Sequence, residues 1–134
     1  PTRRSSDLID MKKYEILEKL NCLDLDKNKY IIISGASLVL QNVIDEISDI
    51  DLACPIDYYE DINWPIKIGA YNLEIKYYDV FEISNNLYSE DIIYIEGYPC
   101  LSLEGCLKIK EELNRDKDKL VIKKLKELIK TNKS

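Results

Sequence analysis

The stretch IIISGASLVLQNVIDEISDIDLAC, residues 31–54, decides the fold that we expect for this chain. The apolar, mostly β-branched run at residues 30–33 predicts a buried strand, and Gly35 marks the turn that follows it. The segment after the turn can begin a short helix. IDLAC, residues 50–54, predicts a second buried strand that ends before Pro55.

Two aspartates stand at the start of this second strand, Asp49 and Asp51, with Ile50 between them. Residues i and i+2 of a strand point to the same face, so the two carboxylates lie side by side, with Cα atoms roughly 6 to 7 Å apart. Like charges that close repel each other unless a cation lies between them. The pair therefore predicts a site for a hard divalent ion, Mg²⁺ or Mn²⁺, and the alternative is a solvated pair at a sheet edge.

The turn before the aspartates predicts an anion site. A chain that leaves a strand at Ser34, turns through Gly35 and enters a helix near Ala36 or Ser37 exposes unpaired backbone N–H groups. Such groups suit the terminal phosphates of a nucleotide. Without the aspartates, the same residues would indicate only a turn between a strand and a helix.

The remaining patterns predict an α/β or α+β domain, with a small mixed sheet, flanking helices and helices at the C-terminal end. MKKYEILEKLNCL, residues 11–23, has helical spacing, and PIKIGAYNLEIKYYDVFEI, residues 65–83, predicts a hairpin of two strands with a turn near GAYN. DIIYIEGYPCLSL, residues 91–103, predicts one more strand and a turn. The apolar stripes after residue 103 predict two helices with a break at NRDKDK.

Length and composition restrict the function further. The 134 residues favour one domain, residues 11–134, whereas residues 1–10 are polar, precede Met11 and are interpreted as a non-native or disordered extension. No apolar run has the length of a membrane span. The four cysteines form no CxxC pair, which favours reduced thiols in the cytoplasm. Because the chain has no histidine, carboxylates, lysines, tyrosines or metal ions must perform any chemistry.

The charge is distributed unevenly. The whole chain carries a net charge of -6, yet residues 105–134 contain ten Lys or Arg and five Asp or Glu. An acidic body argues against non-specific binding to duplex DNA. The combination suits a site at which anionic phosphates and cations meet.

The glycine turn and the aspartate pair together resemble the nucleotidyltransferase superfamily with the polymerase-β-like core. Its pattern is an apolar strand, Gly followed by Gly or Ser, and then a strand with Asp, an apolar residue and Asp or Glu. Twelve residues separate Ala36 from Asp49, and SDIDL is similar to minimal and abortive-infection-type members. The chain departs from the pattern at Ala36, and at Glu46 and Val121, where a basic and an acidic residue are often found.

The resemblance implies a third carboxylate on a later, neighbouring strand. Glu74 is the expected residue because apolar residues flank it on a predicted strand, and Asp79 is the alternative. A lysine before an R-x-K-D cluster in related proteins corresponds here to Lys108 and to Arg115, Lys117 and Asp118. These basic residues could equally form a solvated helix face.

The activity implied is the transfer of a nucleoside monophosphate from an NTP, ATP among the candidates, to an acceptor hydroxyl, with release of pyrophosphate. Asp49, Asp51 and Glu74 are then the catalytic and metal-binding residues. The implied nucleotide-binding residues are Ser34, Gly35, Ala36, Ser37, Lys108, Arg115 and Lys117. The acceptor stays open between a small molecule, RNA and protein.

The alternative function is that of a non-catalytic member of the superfamily, a regulatory or antitoxin-like protein that binds a partner chain. The third carboxylate distinguishes the enzyme from the non-catalytic protein. If neither Glu74 nor Asp79 faces Asp49 and Asp51, binding without turnover is the better interpretation.

Overall fold

The computed structural model describes residues 10–69, 72–85 and 92–133. This part contains nine strands and five α-helices, and a 3₁₀ turn at Asp116–Asp118 lies between the last two helices. The strands are β1 (Met11–Lys12), β2 (Ile31–Ile33), β3 (Glu46–Ile47), β4 (Ile50–Ala53), β5 (Ile66–Ile68), β6 (Glu74–Tyr78), β7 (Phe81–Ser84), β8 (Ile92–Ile95) and β9 (Tyr98–Leu101). The helices are α1 (Lys13–Cys22), α2 (Ser34–Leu40), α3 (Ile56–Asp61), α4 (Leu103–Leu113) and α5 (Lys119–Lys133).

Seven of the strands form one mixed sheet in the order β5-β6-β7-β4-β2-β9-β8. The pairs β4–β7 and β2–β9 are parallel and the other pairs are antiparallel, while β1 and β3 form a separate two-stranded sheet. The expected α+β fold, with a small mixed sheet and flanking helices, is confirmed. The strand predicted at residues 30–33 and the strand predicted at residues 50–54 are neighbours in this sheet, since β2 pairs with β4.

The two faces of the sheet bury different cores, and this fixes the side on which the aspartates lie. On one face, Ile50 and Leu52 of β4 pack in a cluster with Ile16 of α1. On the other face, Ala53 packs with residues of α4 and α5, including Leu125. Side chains alternate along a strand, so Asp51 shares the face of Ala53 and points towards α4 and α5.

The segment 65–83 differs from its prediction, because it contains three strands rather than two. The hairpin of β5 and β6 is present, although Ala70 and Tyr71 of its connection lie outside the described residues. A second tight turn at Asp79 and Val80 then leads into β7. Asp79 adopts a left-handed backbone with φ of 55°, which aspartate tolerates better than most residues, so no glycine marks this turn.

Residues 91–103 likewise hold the hairpin of β8 and β9, where one strand was expected. Both C-terminal helices are present, and the 3₁₀ turn interrupts them within NRDKDK as predicted. Ser102 caps α4, since its hydroxyl accepts a hydrogen bond from the Gly105 N–H.

All four cysteines are free thiols, as expected. None of the helices in the described ranges is both long and apolar enough to cross a bilayer. Residues 1–10 are interpreted as a non-native or disordered extension. Of these residues the structure describes only Asp10, so this interpretation stays a prediction.

Candidate functional site

Three carboxylates come together where β4 and β7 run in parallel. Asp51 lies directly opposite Glu82 in the register of the two strands, and Asp49 immediately precedes β4. Neighbouring strands are about 4.8 Å apart, so the carboxylates of Asp51 and Glu82 project from adjacent positions on the same face. The sequence predicted Asp49 and Asp51 but missed Glu82.

Burial and nearby negative charge raise the pKa of both aspartates. Burial, then the charges of Glu82 and Asp49, raise the pKa of Asp51 to about 7, while Lys67 and a hydrogen bond with Ser34 oppose the increase. Burial and Glu82 also raise the pKa of Asp49, and Lys67 lowers it. The cluster is therefore short of positive charge, which a bound cation would provide.

The donor chemistry of the cluster fits a hard divalent ion. Mg²⁺ is commonly bound through one or two carboxylates, with waters and substrate phosphates as its other ligands. Across the ranges that the structure describes, no group of three or more Asp, Glu, Cys or His side chains is placed so that all of them could hold one metal ion. One or two of the clustered carboxylates, Asp49, Asp51 and Glu82, could share such an ion with a phosphate ligand.

Neither Glu74 nor Asp79 belongs to this cluster, and the expectation that the strand of Glu74 lies beside the aspartates is wrong. β6 pairs with β7 rather than with β4, and Tyr77 is the residue opposite Glu82. Alternation places Glu74 on the other face, with Lys76. Asp79 forms an ion pair with Lys19 of α1 at 2.9 Å, beside a cavity of about 520 Å³ that contains none of the three clustered carboxylates.

The glycine turn differs in detail from its prediction. Ser34, not Gly35, has the left-handed backbone, with φ of 58°, and its side chain forms a hydrogen bond with Asp51. Gly35 lies inside the seven-residue helix α2, where a Cβ atom would come within 2.6 Å of Cδ1 of Ile47. The glycine thus permits close packing rather than an unusual backbone angle.

Ala36 and Ser37 do not line the site as expected, because both side chains are fully buried. The Ser37 hydroxyl donates a hydrogen bond to the Leu101 carbonyl oxygen at 2.7 Å and accepts one from the Gln41 side-chain amide. Ala36 packs in the main core cluster. Both residues hold α2 against the sheet and so fix the position of Ser34.

Two variants of Ser34 separate its backbone role from its hydroxyl. Ser34→Ala and Ser34→Gly both remove the hydrogen bond to Asp51, but only glycine adopts the left-handed backbone without strain. We expect the glycine variant to be about 1 kcal/mol more stable than the alanine variant in denaturant unfolding. Equal stabilities would contradict a left-handed Ser34.

Basic residues of the C-terminal segment approach the carboxylates from α4 and from the turn before α5. Asp118 is buried and accepts hydrogen bonds from Arg115 Nε at 2.6 Å and from Lys110 Nζ at 3.1 Å. Burial by itself raises the pKa of Asp118, but these two cations hold it below its ordinary value. The pairs fix the positions of both cations.

Lys110 occupies the position that the sequence assigned to Lys108. The two residues are two positions apart on α4, about 200° around a helix, so they point to opposite sides. Lys108 is exposed, whereas Lys110 is buried against Asp118. Arg115 lies where it was expected, and Lys117 is exposed at the same edge.

Two cavities meet at the carboxylates and share Ser34, Asp49, Asp51 and Arg115. The first, about 300 Å³, also contacts Gly35, Lys110, Lys117 and Asp118, and we call it the basic cavity after the three cations that line it beside three aspartates. The second, about 500 Å³, contains Glu82 and Lys67, and we call it the apolar cavity. Its walls are aliphatic side chains, Ile68, Leu73, Ile75, Ile109 and Leu113.

No protein-family model, no curated protein and no solved structure matches the chain. The carboxylate cluster and its two cavities are therefore the features of this chain that point to a function.

Proposed function

We propose that the chain is a metal-dependent nucleotidyltransferase, which moves a nucleoside monophosphate from an NTP to an acceptor hydroxyl and releases pyrophosphate. The observation that carries this proposal is the register of Asp51 with Glu82, which gathers three carboxylates with Asp49 at one point of the sheet. A basic cavity and an apolar cavity meet at that point, as a reaction between an anionic nucleotide and a second substrate requires.

Asp49, Asp51 and Glu82 would hold Mg²⁺ or Mn²⁺, which would relieve their repulsion and stabilise negative charge on the reacting phosphates. Ser34 gives Asp51 a fixed hydrogen-bond partner and so orients its carboxylate. Glu82 takes the role that the resemblance had implied for Glu74.

The basic cavity is suited to the triphosphate. Arg115 and Lys110 offer cationic donors at fixed positions because Asp118 holds both, and Lys117 adds a third charge at the rim. In an in-line displacement the attacking and leaving oxygens lie on opposite sides of the phosphorus. With pyrophosphate leaving on the basic side, the acceptor hydroxyl approaches from the apolar cavity, which is the side of Glu82.

The non-catalytic alternative was to be favoured if neither Glu74 nor Asp79 faced the aspartates. That condition is met, but Glu82, which the sequence patterns did not indicate, lies opposite Asp51 and would serve as the third carboxylate. The observation therefore supports a catalytic role, and the binding of a partner chain becomes an outcome of the test.

The direct test combines thermal melting with transfer of label. We expect each suitable NTP with Mg²⁺ or Mn²⁺ to stabilise the chain, by about 2.7 kcal/mol at a ligand concentration 100 times its dissociation constant. Label from an α-³²P NTP should enter an acceptor in a panel of small molecules, RNA and proteins. Stabilisation without transfer would support nucleotide binding alone. The absence of both would favour the partner-binding protein.

A further inference from the structure

Lys67 connects the edge of the sheet with the carboxylate cluster. It lies on the edge strand β5 and reaches past β6, so that its Nζ is 3.0 Å from Oε2 of Glu82 on β7. The same ammonium lies 5.3 Å from the centre of the Tyr77 ring. Its charge also favours the ionised forms of Asp49 and Asp51, so one lysine acts on all three carboxylates.

We propose that Lys67 is a built-in counter-ion for Glu82 that a divalent cation displaces, so that Lys67 sets the metal affinity of the site. The inference rests on the proposed function, because it takes Glu82 as one of the metal-binding carboxylates. Lys67 is in this view a positioning residue. Lys67 holds the Glu82 carboxylate towards the cluster while no metal is bound. Its ammonium moves away from Glu82 when the metal binds.

The pair with Glu82 has the properties of a replaceable contact. The side chain of Lys67 is 43% exposed and that of Glu82 is 21% exposed. A half-exposed ion pair of this kind shifts an equilibrium by roughly fivefold or less, and a lysine side chain is flexible. The cation–π contact of Lys67 with the Tyr77 ring is already present in the paired state and does not need Glu82 as a partner.

A second lysine–carboxylate pair in the same site is buried and is therefore much harder to break than the pair of Lys67 and Glu82. Lys110 and Asp118 are 10% and 8% exposed, and Arg115 also binds Asp118. Breaking that pair would leave a buried charge without its partner, which is costly. The site thus contains one fixed pair at the basic cavity and one labile pair at the third carboxylate.

The test is the affinity of the full chain for Mn²⁺ without nucleotide, measured from the electron paramagnetic resonance of free Mn²⁺. We expect Lys67→Met, which keeps the length of the side chain, to bind Mn²⁺ about two- to fivefold more tightly than the wild type. Lys67→Arg keeps the charge and should stay close to the wild type. Lys126→Met is the matched control, because Lys126 forms an exposed ion pair with Glu111 on the C-terminal helices.

The Glu82→Gln background distinguishes displacement of Lys67 from Glu82 from a general repulsion between the Lys67 charge and the bound cation. With no carboxylate at position 82 there is no ion pair to displace, so Lys67→Met should change Mn²⁺ affinity by less than about twofold there. An equal gain in both backgrounds would overturn the displacement of Lys67 from Glu82. So would equal Mn²⁺ affinities of the wild type and Lys67→Met. If neither protein binds Mn²⁺ without nucleotide, the displacement of Lys67 is overturned, whereas the proposed function fails only if Mn²⁺ is also not bound in the presence of an NTP.

Discussion

Replacing Asp51 with asparagine should lower nucleotidyl transfer by about 100-fold or more while leaving the metal-free fold intact. The substitution is isosteric, and Asp51 lies in a sheet position whose neighbours Ile50 and Leu52 carry the packing of β4. The loss is electrostatic, because a neutral amide is a poor ligand for a hard cation. Label transfer from an α-³²P NTP, with each protein at the same concentration, measures it.

The same variant should change how stability depends on pH in the absence of metal. The pKa of Asp51 is raised from 3.8 to about 7, so the folded protein binds one proton more than the unfolded chain between these values. Stability from this residue is full below the unfolded pKa and is lost as the pH rises through the folded pKa. We therefore expect Asp51→Asn to melt higher than the wild type at pH 8, by about 2 to 8 °C, and to show a flatter pH dependence.

Asp79→Asn provides the matched control for both measurements. It removes a carboxylate of the same kind, but one that is paired with Lys19 on the opposite face of the sheet. Transfer by the control should equal that of the wild type. Equal transfer by the wild type and Asp51→Asn would remove Asp51 from the catalytic site, and equal pH profiles would contradict its raised pKa.

The second large effect is expected from Glu82, with Glu74 as its control. Glu82→Gln should also lower transfer by about 100-fold or more, because Glu82 faces Asp51 across the parallel strands β4 and β7. Glu74→Gln should leave transfer unchanged, since Glu74 is exposed on β6 and shares a face with Lys76. The two variants make the same chemical change on adjacent strands, but on opposite faces of the sheet.

The rate of label transfer by each variant, measured with the same NTP and acceptor, shows which of the two glutamates contributes to transfer. The opposite ranking, with a loss for Glu74→Gln and none for Glu82→Gln, would contradict the strand register of the site. Losses of similar size in both would indicate that Glu74 also acts, through the fold or through the substrate. Melting curves in EDTA exclude unfolding as the cause of either loss.

The sequence by itself determined the local part of the site. The strand β2, the small residues after it and the strand β4 follow from a contiguous pattern in residues 31–54. The common direction of Asp49 and Asp51 follows from the two-residue period of a strand. These features depend on neighbours within a few positions of the chain, and that is the range over which sequence patterns are informative.

The tertiary structure alone decided the third carboxylate and the cations. Glu74 and Glu82 both lie between apolar residues, in LEI and FEI, so local patterns rank them equally. The choice depends on which strand pairs with β4 and on the register of that pair, and both are set by contacts between distant residues. Lys110 replaces Lys108 for a related reason, because the side of α4 that faces the site is fixed by packing against the sheet. The sequence thus determines which chemical groups are available to the site, while strand pairing and helix packing determine which of them come together.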